Sequence, residues 1–200
     1  MVGQPPFGEA LGRGRRRLLL LAASGALSAG TAALILTRHR LLAALPALGA
    51  SAALLFAAFG ARAEGGDWMD PASRVEPTRH AERFADGVVD RVFDAGVLVP
   101  LAWVARSGSN VDAVLALVGL GASYVASYER ARGEALGYRG TENLAYRATR
   151  YGTLVFGLLT GWLAAALWAF VVLTMAAAAV RAWNVAAQER RSPSPRGTTA

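Results

Sequence analysis

Apolar and polar stretches alternate along this chain at the spacing a bilayer imposes. About 20 apolar residues cross the hydrocarbon core as a helix, and Leu18 to Leu36 and Leu41 to Ala61 each approach that length. The interval between them, Thr37-Arg38-His39-Arg40, leaves room only for a tight turn. Pro46 falls in the first turns of the second run, where a helix tolerates it. The third run opens on charge, Asp86-Gly-Val-Val-Asp90-Arg-Val-Phe-Asp94, and continues as the apolar stretch Ala95 to Ala105. After the turn Arg106-Ser107-Gly108-Ser109-Asn110 comes a fourth run, Val111 to Tyr128. Residues 151–187 are too long for one span and read as two helices turning near Thr160-Gly161-Trp162. The pattern predicts an all-α, polytopic membrane protein with six transmembrane helices. A polar N-terminal segment (1–17) precedes the membrane domain (18–187), and a Ser-, Pro- and Arg-rich tail (188–200) is expected to be disordered. The arginines before Leu18 also suit a secretion signal, but a second span follows directly where a soluble domain would be expected.

Composition agrees with the pattern. The chain is 54% hydrophobic with mean hydropathy +0.33, beyond an ordinary soluble domain. It has no cysteine, which excludes thiol catalysis, disulfides and thiolate metal sites. Its two histidines, His39 and His80, do not support a histidine-based metal site. The net charge is +7 and all 21 basic residues are arginine, which in a soluble protein would suggest nucleic acid. Six spans put all of them except Arg38, Arg40 and Arg106 on one side. The positive-inside rule makes that side cytoplasmic, together with both termini and the 62–85 and 129–150 loops. No nucleic-acid partner is expected. The spans contain no internal repeat of the kind many transporters carry.

Asp86, Asp90 and Asp94 are four residues apart, so on a helix they share a face. A carboxylate at the centre of a membrane helix costs roughly 2.5–3.5 kcal/mol, less near the interface. The stripe therefore reads either as a polar helix end among headgroups or as a site for a hard cation, which takes carboxylate oxygens. Carboxylates facing an arginine-rich loop across one aqueous mouth are a layout suited to phosphate chemistry.

Two stretches carry a resemblance. Asp86-Gly-Val-Val-Asp90-Arg-Val-Phe-Asp94 and Tyr124-Val-Ala-Ser-Tyr128-Glu-Arg130-Ala-Arg132-Gly-Glu134-Ala-Leu-Gly137-Tyr-Arg139-Gly140 resemble the CDP-alcohol phosphatidyltransferases. The likeness is greatest to the branch that makes phosphatidylinositol phosphate or archaetidylinositol phosphate. It implies a six-helix, homodimeric membrane enzyme open to the cytoplasm. With Mg²⁺ or Mn²⁺, such an enzyme displaces CMP from a CDP-linked lipid by an alcohol, here a phosphorylated one such as inositol phosphate or glycerol phosphate. The family signature is Asp-x-x-Asp-Gly-x-x-Ala-Arg, eight residues, then Gly-x-x-x-Asp-x-x-x-Asp. Its last two acids fall on Asp86, a metal ligand by resemblance, and Asp90, at the metal site and the base for the acceptor hydroxyl. Asp94 matches a third, supporting acid. Asp67-Trp-Met-Asp70 has the spacing of the first metal-binding pair. Pro71 stands in place of a signature glycine, Arg74 comes one place early, Glu82 replaces the second glycine, and the interval to Asp86 is two residues short. Arg130, Arg132, Arg147 and Arg150 match the basic positions that hold the acceptor phosphate. A family member without catalysis, acting as membrane scaffold or partner subunit, and a small transporter using the intramembrane acids are the other readings the residues allow.

Overall fold

The computed structural model describes residues 7–63, 77–136, 138 and 144–191. They form six helices: α1 (Phe7–Leu36), α2 (Arg40–Ala63), α3 (Pro77–Ala105), α4 (Asn110–Ala135), α5 (Leu144–Thr160) and α6 (Leu163–Arg191). Among the described residues, four stretches are long and apolar enough to cross a membrane, Arg15–Leu36, Arg40–Phe59, Asn110–Gly133 and Leu163–Arg190, which marks the chain as a helical membrane protein. α3 lacks an apolar run of that length because charges occupy its first half, and α5 is only 17 residues long.

The helices pack in a closed ring in the order α1, α2, α5, α6, α4, α3, with α3 returning to α1. Small residues make the ring tight. α2 turns Ala43, Ala47, Ala50 and Ala57 inward while Leu41, Leu45, Leu48, Phe56 and Phe59 face out. Small-inside, large-outside packing suits a lipid surround, where the hydrophobic effect does not drive helices together and close contact does. Gly96 of α3 shows the fit: a methyl group there would lie 3.0 Å from the Ser28 carbonyl of α1. Buried serines find acceptors in the helices: Ser24 donates to the Ala50 carbonyl at 3.1 Å, Ser28 to the Ser24 carbonyl and Ser51 to the Ala47 carbonyl, both at 2.7 Å.

Three tight connections gather at one end of the ring. Arg38 ends α1 with φ 64°, and the His39 and Arg38 N–H groups bond back to Leu34 and Ile35. Arg38 also donates to the Ser107 hydroxyl of the α3–α4 turn at 3.3 Å. Ser109 caps α4 by accepting from the Asp112 N–H at 3.2 Å. Gly161 ends α5 with φ 80°, and the Arg40 guanidinium packs against its Cα. The α5–α6 break therefore falls where the sequence places it. The C-terminal ends of α2 and α4, the N-terminal ends of α3 and α5, and the last turns of α6 lie at the opposite end.

Candidate functional site

At that opposite end, the interior of the ring changes from apolar to ionic. Asp90 and Asp94 of α3 point inward and are buried, 3% and 0% exposed. Arg147 and Arg150, in the first two turns of α5, are buried facing them. Residues three or four apart on a helix share a face, and each element uses that spacing. α3 offers Asp90 and Asp94, and α5 offers Arg147, Arg150 and Tyr151.

The contacts form two linked clusters. Asp90 accepts from the Arg147 guanidinium through Oδ2 and from the Tyr151 hydroxyl through Oδ1. Asp94 Oδ2 accepts from Arg150 at 2.5 Å and from the Ser123 hydroxyl of α4. Arg91 joins the clusters: its guanidinium lies 3.2 Å from Asp94 and 3.9 Å from Asp90, and it donates to the Ser123 carbonyl at 2.5 Å. Arg150 is further enclosed by rings, with Tyr146 5.7 Å and Phe170 5.1 Å from its guanidinium carbon.

Above the clusters lies a recess open to solvent, lined by Asp90, Arg91, Ala126, Ser127, Arg130, Tyr146, Arg147, Arg150 and Arg181. Arg181 enters from α6 and is held by the Ala126 carbonyl at 2.6 Å. Arginine dominates the lining, with one carboxylate among five guanidinium groups. A concave, arginine-rich wall with buried members suits phosphate oxygens, which accept the planar guanidinium fork.

Of the residues expected from the sequence, Asp90, Asp94, Arg130, Arg147 and Arg150 come together here. Arg132 lies exposed on the last turn of α4 and does not line the recess. Asp67, Asp70 and the Asp86 side chain lie outside the described residues. Among the described residues, no three acidic, histidine or cysteine side chains converge as a metal set. Both oxygens of Asp90 are occupied by protein donors, and Asp94 is enclosed beneath them. As they stand, these two carboxylates do not fit a divalent cation. Asp90 and Asp94, the two described members of the acidic stripe, are therefore compensated by arginine. Arg91, Ser123, Tyr151 and Arg181 also belong to the site and lie outside the residues the sequence motifs mark. Arg181 alone had a sequence signal, a single charge within the otherwise apolar stretch of α6. No protein-family model matches this sequence, and no curated protein matches it.

Proposed function

We propose that the chain is a membrane transferase of the CDP-alcohol phosphatidyltransferase type, with its recess open to the cytoplasm and all six helices in the bilayer. The observation that supports this most strongly is one inward-facing carboxylate, Asp90, in a recess walled by five arginines. The arginines hold the phosphate groups of a CDP-linked lipid and of a phosphorylated alcohol. The acceptor hydroxyl gives its proton to Asp90. Its oxygen forms a new bond to the lipid-linked phosphorus as the bond from that phosphorus to CMP breaks, and CMP leaves. Arginines at the wall stabilise charge that develops on the phosphate oxygens. The resemblance adds Mg²⁺ or Mn²⁺. Asp86, Asp67 and Asp70 are its candidate ligands, and no step here depends on it.

The test is CMP release from CDP-diacylglycerol or CDP-archaeol by purified protein, with Mg²⁺ and glycerol phosphate or inositol phosphate. Asp90→Asn is expected to lower the rate by at least about 100-fold, the lower range of general-base contributions. Equal rates for the two proteins would sink the assignment.

A second reading has its own support. Donors from α5 occupy both Asp90 oxygens, which suits a relative that keeps the fold as a membrane scaffold or partner subunit. Isothermal titration with CDP and CMP separates the two: Mg²⁺-dependent binding favours the transferase, and its absence favours the scaffold.

A further inference from the structure

The two oxygens of Asp90 have partners of different kinds. Oδ2 is held by Arg147 and Oδ1 by Tyr151, and both donors come from α5 one helical turn apart. Arg147 lines the recess, while Tyr151 does not. Tyr151 is 1% exposed, and its ring meets Phe93 edge-on at 4.8 Å and 70°. Phe93 is itself fully buried on the same turn of α3 as Asp90. Tyrosine and carboxylate are thus fixed by one packed unit.

An anion entering the recess competes with Asp90 for Arg147, because a phosphate offers that guanidinium a bidentate partner. It has no access to Tyr151. We propose that Tyr151 is a positioning residue. It anchors Oδ1 of Asp90 so that Oδ2 is presented to the acceptor hydroxyl when Arg147 turns to bound phosphate. This rests on the transferase reading, under which Asp90 takes the proton. The phenol suits the task because it is a neutral donor: it fixes the carboxylate without cancelling its charge.

The experiment compares wild type with Tyr151→Phe, which keeps the ring and removes the anchoring hydroxyl. In the CMP-release assay, Tyr151→Phe is expected to lower kcat about 10- to 100-fold, the loss that misplacing a reacting group by about 1 Å produces. KM for donor and acceptor should stay within about twofold of wild type. The second measurement needs no turnover. Infrared spectra of ¹³C-aspartate protein at saturating inorganic phosphate, with Asp90→Asn subtracted, isolate the Asp90 carboxylate stretch. That band should shift in Tyr151→Phe. An unchanged band overturns the anchor whatever the rates, and so does an unchanged kcat in an active enzyme. If wild type releases no CMP, the transferase reading falls, and a shifted band then upholds only the anchor.

Discussion

Asp94 is fully buried, and its two oxygens are unequally served. Oδ2 takes donors from Arg150 and Ser123 and lies near Arg91, whereas Oδ1 has no hydrogen-bond partner. An unpaired buried oxygen costs about 1–3 kcal/mol, so the carboxylate stays in place through its arginines. Removing one member of a buried pair strands the other as an uncompensated charge, at about 3–5 kcal/mol. Asp94→Ala is therefore expected to destabilise the protein by about that amount in thermal unfolding in detergent. The double variant Asp94→Leu/Arg150→Met removes one negative and one positive charge and should recover much of the loss. If the double variant unfolds as early as the single one, the network does not carry this part of the fold. The helical face shared by Asp90 and Asp94 was readable from their spacing. Their partners were not, because Arg147 and Arg150 are more than fifty residues away and their meeting depends on how α5 packs in the ring.

At the scale of elements, the turns define the helix ends, and two of them use the left-handed backbone region. Gly161 does so at no steric cost, and its place in Thr160-Gly161-Trp162 made the α5–α6 break legible in the sequence. Arg38 holds the same region without being glycine. Its N–H and that of His39 complete the helix-closing pair of bonds to Ile35 and Leu34, an arrangement glycine usually terminates. Left-handed backbone costs an ordinary residue roughly 1–2 kcal/mol. Arg38→Gly is therefore expected to raise the unfolding midpoint, offset in part by loss of the exposed bond to Ser107. Gly161→Ala should lower it, because a methyl group there meets both the wrong φ and the Arg40 guanidinium. Opposite signs at these two positions are the result to look for in matched thermal melts. A fall in the midpoint for Arg38→Gly would mean that its contact with Ser107 outweighs the backbone strain.

For the whole molecule, α3 and α5 stand apart, since composition alone marks only the other four helices as spans. The ring supplies the physical argument. The described charges of α3, Asp90, Arg91 and Asp94, pair with one another or with α5 in the interior. Its outer face carries Val88, Val92, Val99 and Trp103, spaced to share one side of the helix. α5 likewise exposes Phe156 and Leu159 while burying Tyr151, Leu154 and Leu158. A helix whose charges are satisfied inward can face lipid without being apolar throughout. From Asp90 to the end of α3 is about 22 Å at 1.5 Å per residue, which places the ionic clusters toward one edge of a hydrocarbon layer about 30 Å thick. All six helices are therefore expected to cross. The chain has no native cysteine, so single substitutions report their side directly. With a cytoplasmic N-terminus, six crossings put Ser107→Cys outside and Tyr138→Cys inside. If α3 and α5 stayed on the surface, both assignments would reverse. Labelling intact cells with a membrane-impermeant maleimide should modify the cysteine at position 107 and spare the one at 138 until the membrane is opened. The converse pattern would take α3 and α5, and the recess between them, out of the bilayer.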